Sequence, residues 1–338
     1  MAAVFESVGA MDAVARMKGT RVLILGDMVA DIYLDGRISR ISREAPVLVL
    51  EEMGERVVAG GAANVAHNAA TLGGRVKAFG VLGRDAGGDG IRAVLDKVGV
   101  DTAGLVGTAE RPTISKTRVI AGGRATVSQQ IVRIDKESRD PLPTLLAKEL
   151  ETALLKALSS VDAVVLSDYG SGTVTEEIRA ELLAACRQKG MPTIVDSRYG
   201  VRSFRGVDYV KQNDAELAAA FDRRLETEED IERTARELIG ELDAKGALIT
   251  RGEKGMLLFL SDGARYEIPV SDKSEVYDVS GAGDTCVAAF ILALAGGTSP
   301  QEAAYVSNIA SGIAVRKLGT ATVSDGELHK KVRELSSC

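Results

Sequence analysis

Short apolar segments alternate with longer stretches of helical periodicity over most of the chain, and no other feature restricts its possible folds as strongly. The apolar segments are rich in Val, Ile and Leu, and they comprise residues 21–26, 75–81, 163–166, 193–196, 208–210 and 247–250. The helical stretches between them include residues 88–98, 143–158, 175–189 and 227–242. Strands that are apolar throughout are buried on both faces. The pattern therefore predicts an α/β fold with a mainly parallel sheet flanked by helices on both faces.

Two segments interrupt this alternation. Residues 32–52 form a strand-and-turn stretch, and residues 113–134 alternate polar and apolar side chains around a glycine-containing turn at 121–124. We expect both to form a small antiparallel β lid over the carboxyl ends of the parallel strands, where ligands bind in such folds. A decorated α/β core without a lid function is the alternative. Because no repeat or linker separates these parts, residues 1–338 are predicted to be one domain that carries both lid segments.

The composition disfavours several classes of function. The chain has 42 basic and 48 acidic residues, a formal net charge of −6 and 4% aromatic residues, so neither nucleic acid nor an anionic membrane is expected as a partner. Two histidines and three cysteines without CxxC spacing disfavour zinc sites, disulfide frameworks and Ser–His nucleophiles. We see no signal-peptide core and no run of about 18 apolar residues. We therefore predict a cytoplasmic protein with reduced thiols.

The motif with the strongest chemical implication is Ser280-Gly281-Ala282-Gly283-Asp284, which an apolar helical run follows at once. Small residues before a helix let backbone N–H groups converge on an anion, and the helix dipole favours negative charge there. A carboxylate in the first helical turn lies beside that anion site and can take a proton from a hydroxyl during phosphoryl transfer. The alternative is a tight turn followed by an acidic residue that only stabilises the helix. P-loop, GxGxxG, GxSxG and HExxH signatures are absent.

Four weaker motifs have both a functional and a structural interpretation. They comprise Asp27 with Asp31, Gly60-Gly61 with Asn64, Asn213 with Glu216, and Thr250 with Gly252 and Gly255. Carboxylates suit sugar hydroxyls, and glycines allow a ligand to approach the backbone closely. The Asn–Glu pair suits a hard cation bound directly or through water, with capping of a helix as the alternative. The last motif is explained equally well as a turn between two strands.

The order and spacing of these motifs resemble those of the ribokinase-like (PfkB) family of carbohydrate kinases over about residues 21–324. Segments 39–47, 167–170 and 317–323 resemble the heptose 7-phosphate kinase branch, the kinase half of the bifunctional ADP-heptose synthesis enzyme. Two segments depart from that branch: residues 196–200 replace Asp-Pro-Lys-Gly, and residues 211–213 replace Thr-Pro-Asn. The departures leave a ribose, a fructose or a hexose phosphate as alternative substrates. Outside catalysis, a sugar or nucleotide sensor is the alternative.

The resemblance implies an ATP-dependent kinase that phosphorylates D-glycero-D-manno-heptose 7-phosphate at O1, with Mg²⁺ and, in part of the family, K⁺ as cofactors. It implies Asp284 as the general base and the Gly-Ala-Gly turn before it as the phosphoryl-binding site. The remaining implied residues are Asp27, Asp31, Gly60, Gly61, Asn64 and Asp168 for the sugar, Asn213, Thr250, Gly252, Gly255 and Asn308 for the nucleotide, and Asn213 with Glu216 for Mg²⁺ through water.

A phosphorylated sugar also needs cations at its far end. Lys116 and Arg133 lie on the arms of the predicted hairpin, and we expect them to bind the sugar phosphate. The alternative is a solvated edge strand that uses basic residues to discourage aggregation. Because lid edges pair between subunits in the family that the motifs resemble, a homodimer formed through the lid is also expected.

Overall fold

The computed structural model describes residues 3–4, 9–122, 128–271, 277–317 and 319–336. In these ranges it contains the strands β1 (Ala3–Val4), β2 (Arg21–Gly26), β3 (Met28–Ile41), β4 (Leu48–Gly61), β5 (Arg75–Gly83), β6 (Asp101–Thr108), β7 (Ile114–Gly122), β8 (Gln129–Lys136), β9 (Ala163–Asp168), β10 (Thr193–Ser197), β11 (Tyr209–Asn213), β12 (Gly246–Thr250), β13 (Met256–Leu260) and β14 (Arg265–Ile268). Its α-helices are α1 (Ala10–Met17), α2 (Ala62–Thr71), α3 (Ala86–Asp96), α4 (Thr144–Ala157), α5 (Glu176–Gln188), α6 (Asp214–Ala220), α7 (Glu228–Leu242), α8 (Ala282–Ala295), α9 (Pro300–Ala314) and α10 (Asp325–Ser336).

A ten-stranded sheet in the order β1-β14-β13-β12-β11-β10-β9-β2-β5-β6 forms the centre of the fold. Neighbouring strands pair in parallel except for β13, which runs antiparallel to both β12 and β14. The six apolar segments identified in the sequence are β2, β5, β9, β10, β11 and β12. The predicted mainly parallel sheet is therefore confirmed.

Helices cover both faces of this sheet because alternate residues of each strand point to opposite sides. In β2, Val22 and Ile24 pack into a core with α1, α2, α8, α9 and α10, whereas Leu23 and Leu25 pack into a second core with α4, α5 and α7. Removing one such buried side chain from water contributes roughly 1.5–3 kcal/mol to the free energy of unfolding. Both cores are closed by apolar side chains, as expected for strands that are apolar throughout.

Several helices begin where the sequence offers a hydroxyl side chain. Thr175, Thr227 and Ser299 each accept a hydrogen bond from a backbone N–H in the first turn of α5, α7 and α9. The caps of α7 and α9 are complete capping boxes, with an acidic third residue bonded back to the cap. The first residues of the predicted helices 175–189 and 227–242 are therefore caps.

A second sheet of four strands has the order β4-β3-β7-β8. It contains the two predicted lid segments as antiparallel pairs, β3 with β4 and β7 with β8. A parallel pairing of β3 with β7 joins them, a pairing that local patterns do not reveal. Both strands of the first pair are longer than predicted, reaching back to Met28 and on to Gly61. The predicted turn at 121–124 lies partly outside the described residues.

The second sheet starts directly where β2 ends, because only Asp27 separates β2 from β3. The carboxyl ends of β2, β9, β10 and β11 thus lie at the edge of the ten-stranded sheet from which the second sheet extends. Ligands bind at this edge in open α/β sheets. In the described ranges, no helix is long and apolar enough to cross a membrane.

Candidate active site

Asp284 lies in the first turn of α8, and its side chain is buried. Asn64 Nδ2 donates a hydrogen bond to Asp284 Oδ2 (2.7 Å), and the Tyr169 hydroxyl donates to Oδ1 (3.1 Å). Burial raises the pKa of Asp284 to about 7; the carboxylate of Asp196 adds to the rise, and the hydrogen bond from Asn64 opposes it. A carboxyl group with a pKa near neutrality is suited to accept a proton and to release it again.

Two glycines keep the start of α8 open, Gly281 as its N-cap and Gly283 in its first turn. Gly281 has a φ of 79°, and a Cβ at this position would lie 2.6 Å from Asn64 Nδ2. A Cβ on Gly283 would lie 2.7 Å from the ammonium nitrogen of Lys211. The N-terminus of α8, with its unpaired N–H groups and positive dipole end, is therefore accessible to an anion that also reaches Lys211.

Lys211 is a buried cation beside this turn. Its Nζ lies 2.9 Å from Asp196 Oδ2, and the two side chains come from paired positions of β11 and β10. Burial alone lowers the pKa of Lys211, but the carboxylates of Asp196 and Glu216 outweigh burial and hold the pKa above its usual value. The ammonium group therefore stays charged and supplies a fixed positive charge next to Asp284.

Three cavities meet at this point. A central cavity of about 300 Å³ is lined by Asp284, Lys211 and Asp196. It shares Asp284, Tyr169 and Arg198 with a basic cavity of about 210 Å³ beneath the four-stranded sheet. On its other side it shares Lys211, Asn213, Val279 and Gly283 with an outer cavity of about 500 Å³. Asp284 and Lys211 therefore stand between two compartments that open into each other.

Four cations line the basic cavity. Arg118 pairs with Asp31 at 2.6 Å, Lys116 approaches Glu137 at 3.6 Å, and Arg133 pairs with Asp135. Arg198 also lines the cavity, and among the described residues no carboxylate forms an ion pair with it. Among the described residues, these four cations outnumber the two acidic side chains that line the cavity, Asp31 and Asp284, and Arg198 is left without a carboxylate partner, so the compartment suits an anionic ligand.

Comparison with known proteins agrees with this two-compartment site. The profile described as "pfkB family carbohydrate kinase" matches residues 20–326. The chain belongs to the pfkB family of carbohydrate kinases. It is thus an ATP-dependent sugar kinase by family.

Among its relatives, "Bifunctional protein HldE" of Azorhizobium caulinodans is 42% identical over 310 residues, covering 91% of this chain and 63% of the relative. The chain therefore spans less than two thirds of that relative's length. Among solved structures, phosphofructokinase-2 from Escherichia coli in complex with potassium superposes with a TM-score of 0.74 at 23% identity, covering 94% of this chain and 99% of that one. Arabidopsis thaliana ribokinase complexed with ribose and ATP superposes with a TM-score of 0.70 at 21% identity, covering 94% and 99%. Both superpositions show the ribokinase-like fold.

All the residues that the sequence assigns to the nucleotide line the outer cavity: Asn213, Thr250, Gly252, Gly255 and Asn308. The Asn308 amide also donates to the carbonyl of Pro269 (2.7 Å). Ala282 lines the same cavity, although its N–H is directed to the Val279 carbonyl (3.3 Å). In a pfkB kinase this compartment, adjacent to Lys211, is the candidate site for the phosphoryl donor.

The proposed Mg²⁺ residues form the N-terminal cap of α6. Asn213 Oδ1 accepts from the Glu216 N–H (2.7 Å), and Glu216 Oε2 accepts from the Asn213 N–H (2.9 Å). Capping and cation binding are compatible here, because the second carboxylate oxygen of Glu216 is not used by the cap, and Glu216 lines the central cavity. The described residues contain no cluster of three or more metal-ligating side chains. One carboxylate fits Mg²⁺ that keeps its waters and binds chiefly to phosphates.

Of the residues assigned to the sugar, some line a cavity, one supports a cavity wall, and others lie behind the cavities. Asp31, Gly61, Lys116 and Arg133 line the basic cavity, and Asp168 lines the central one. Gly60 supports this wall, because a Cβ there would lie 2.6 Å from Asp31 Oδ2. Asn64 lines none of the three cavities and bonds to Asp284 instead.

Asp27 requires a correction. Its buried carboxylate accepts hydrogen bonds from the backbone N–H groups of Tyr169, Ser171 and Thr173 (2.8, 3.0 and 3.3 Å). It lines none of the three cavities. Both oxygens are used inside the protein, so Asp27 holds the loop after β9, and with it Tyr169, rather than contacting a sugar directly.

Sequence reasoning missed three side chains of the site: Lys211, Tyr169 and Arg198. A lone lysine or tyrosine in an apolar segment has no motif of its own, and its role depends on partners distant in the chain. A signal did exist for two of them. Lys211 and Arg198 occupy the two segments in which the chain departs from the branch that it resembles. The first departure adds a positive charge to the site, because Lys211 lies in a segment that replaces the uncharged Thr-Pro-Asn, whereas Arg198 lies in one that replaces a sequence with a lysine.

Proposed function

We propose that this chain transfers the γ-phosphoryl group of ATP to a sugar that already carries a phosphate, and that the sugar is D-glycero-D-manno-heptose 7-phosphate, phosphorylated at O1. The observation that carries this proposal is the basic cavity, which Asp284 lines together with the four cations Lys116, Arg118, Arg133 and Arg198. A neutral sugar has no group for so many cations. The 42% identity to a bifunctional HldE protein supports the heptose as the sugar.

In the reaction, the sugar hydroxyl attacks the γ-phosphorus, the new bond is O1–P, and the broken bond joins that phosphorus to the β–γ bridging oxygen, which leaves with ADP. Asp284 accepts the hydroxyl proton and becomes neutral. The α8 N-terminus and the Lys211 ammonium stabilise the charge on the transferring group. Both act without rearrangement, because the glycine turn and the Asp196 ion pair fix them in advance.

Mg²⁺ supplies charge neutralisation of the nucleotide phosphates, and Glu216 with Asn213 would hold it through water. The Asn213 and Glu216 side chains are already ordered by their mutual hydrogen bonds. The K⁺ requirement expected from the resemblance stays a prediction, as does the cytoplasmic location. Cys186 and Cys286 are free and buried in the described part of the chain.

The proposal is tested by kcat/KM across a panel of sugars, measured as ADP release with ATP and Mg²⁺. The panel contains heptose 7-phosphate, fructose 6-phosphate, ribose and fructose. We expect the heptose phosphate to be preferred by at least an order of magnitude, because its phosphate can reach the cations while its anomeric hydroxyl reaches Asp284. Preference for fructose 6-phosphate would move the substrate within the same chemistry. ATP binding without turnover of any sugar would support the sensor alternative and contradict catalysis.

Replacing Arg133 or Lys116 by Ala tests the phosphate end of the cavity. Each change should raise KM for the sugar phosphate by about tenfold, since a hydrogen bond to a charged group contributes about 1.5–3 kcal/mol. KM for the unphosphorylated sugar should stay within twofold. Arg139→Ala is the matched control, because Arg139 lies near Glu137 but lines none of the three cavities. Equal effects on both substrates would remove Arg133 and Lys116 from the phosphate site.

A homodimer through the four-stranded sheet is the proposed assembly. Six large apolar side chains are exposed in or next to that sheet: Ile41, Val47, Leu48, Met53, Val132 and Ile134. Val132 and Ile134 alternate along β8 with Arg133, so they lie on the face opposite the basic cavity. So many exposed apolar side chains in one small sheet are rarely left in water, and a second copy of the chain would cover them.

We therefore expect light scattering at micromolar concentration to give the mass of a dimer. Ile134→Lys should shift the protein towards monomer, because it places a charge in the proposed apolar contact. Leu145→Lys is the control, since Leu145 is exposed on α4, a helix that packs against the ten-stranded sheet. A monomeric wild-type protein would contradict the assembly.

A further inference from the structure

Asn68 is a fully buried polar residue of α2 that lines none of the three cavities. Its Nδ2 donates to the Asn64 side-chain Oδ1 (3.1 Å) and to the Asn64 carbonyl (3.0 Å). Its Oδ1 accepts from the Thr285 hydroxyl (3.0 Å) and from the Val323 backbone N–H (3.3 Å). This side chain thus joins α2 to α8 and to the segment before α10, one residue away from Asp284.

These partners determine which way two amides point. The Val323 N–H is a donor only, so the group facing it must be the acceptor end of the Asn68 amide. The donor end of the Asn68 amide then faces Asn64, so the Asn64 side chain must present its acceptor oxygen, Oδ1, to Asn68. The Asn64 amide is left with its donor end towards Asp284, where the 2.7 Å bond to Oδ2 is found. A reversed Asn64 would place oxygen against carboxylate oxygen.

The two oxygens of Asp284 therefore differ. Oδ2 is bonded to Asn64, which is backed by Asn68 and lies away from the cavities. Oδ1 contacts the Tyr169 hydroxyl, and Tyr169 lines both the central and the basic cavity. A sugar hydroxyl entering from the basic cavity meets Oδ1.

We propose that Asn68 is a positioning residue, which fixes the Asn64 amide and thereby holds Asp284 Oδ2 so that Oδ1 is the atom that accepts the substrate proton. The assignment of Asp284 as the base rests on the proposed function; the orientation of its carboxylate does not. Among the described residues Asn68 forms no hydrogen bond to Asp284, so its side-chain connection to that carboxylate runs through Asn64.

The test is a double-mutant cycle of Asn68→Ser and Asn64→Ala, read as kcat, KM for ATP and the pH profile of kcat. Asn68→Ser should lower kcat at pH 7 by about tenfold and leave KM for ATP unchanged, as expected when a positioned catalytic group loses its support. In the Asn64→Ala background, Asn68→Ser should change kcat by less than about twofold, because the Asn64 side chain through which Asn68 acts is already absent. Additive losses would overturn the inference.

The pH profile separates positioning from a general loss of stability. The hydrogen bond from Asn64 lowers the pKa of Asp284, so weakening it should move the acid limb of the profile to higher pH. The other groups that act on Asp284 are Asp196, Lys211 and Tyr169, and none of them is changed. Thr71→Val is the matched control. The Thr71 hydroxyl donates to the backbone carbonyls of Asn68 and Val323, so it links the same two segments without bonding to the side chains of Asn68, Asn64 or Asp284. Thr71→Val should lower thermal stability without moving the acid limb.

A substrate-free measurement distinguishes failure of this inference from failure of the proposed function. Carboxyl carbon NMR, with the Asp284 signal identified by its loss in Asp284→Asn, should report a higher Asp284 pKa in Asn68→Ser than in the wild type. If no sugar is turned over but this shift occurs, the function fails and the positioning role stands. If the shift is absent in a folded variant, the positioning role is wrong. Asn68→Thr, whose neutral hydroxyl oxygen can accept from the Val323 N–H, replaces Asn68→Ser if the latter does not fold.

Discussion

Asp284→Asn should lower turnover by roughly 10²–10⁴-fold, the range expected for removal of a general base. The amide has the size of the carboxylate and keeps an oxygen for the Asn64 donor, so the fold and substrate binding should be preserved. The measurement is steady-state ADP release together with thermal unfolding and KM for both substrates. A folded Asp284→Asn protein with near-wild-type turnover would contradict the assignment of Asp284 as base.

The raised pKa of Asp284 gives this variant a second signature. Its pKa is about 7 in the folded chain against 3.8 as the ordinary value. As pH rises between these values, the unfolded chain loses its proton first, so the free energy of unfolding falls, and above pH 7 the loss is complete. We expect Asp284→Asn to lack this loss, and to be more stable than the wild type at pH 8 by up to a few kcal/mol.

Wild-type kcat/KM should fall about tenfold per pH unit below 7, as the base becomes protonated.

Lys211→Met should lower kcat by about 10²–10³-fold, comparable with the loss of one donor to a transition-state oxyanion. The change removes the fixed positive charge between Asp284 and the outer cavity. It also leaves Asp196 buried without its partner, an effect of about 3–5 kcal/mol on the free energy of unfolding. Chemical denaturation and single-turnover kinetics measure the two losses separately.

The double variant Lys211→Met/Asp196→Asn distinguishes catalysis from stability. It removes both buried charges, so most of the stability should return while kcat stays low. Lys245→Met is the matched control, because Lys245, just before β12, has an exposed side chain that forms an ion pair with Asp208, just before β11. A pair of that kind contributes about 0–1 kcal/mol. If kcat recovers together with stability in the double variant, Lys211 acts only by holding the fold.

Local sequence signals were sufficient for the framework of this molecule. Strands composed of apolar residues throughout predicted a sheet with helices on both faces. In the structure, the neighbouring residues Val22 and Leu23 pack into the two cores on opposite faces of that sheet. Of the five residues predicted for the nucleotide, Asn213, Thr250, Gly252 and Gly255 lie at caps and turns, which are determined by neighbours in sequence. The fifth, Asn308 within α9, was implied by the family resemblance. All five of those residues line one cavity.

Contacts between distant segments were beyond such reasoning. The role of Lys211 depends on Asp196, fifteen residues away on another strand, and that of Asn68 on the N–H of Val323, 255 residues away. Asp27 looked like a sugar ligand because carboxylates at strand ends commonly are. Its oxygens instead satisfy three backbone donors of a loop about 140 residues later, which only the folded chain reveals.

Phosphorus NMR of the product tests most directly whether the chain transfers a phosphoryl group from ATP to the anomeric oxygen of a sugar phosphate. After incubation with ATP, Mg²⁺ and heptose 7-phosphate, we expect a new phosphorus signal coupled to the anomeric proton, with the original 7-phosphate signal retained. Its absence, with only ADP and inorganic phosphate formed or with the new phosphate on another carbon, would contradict the proposed function.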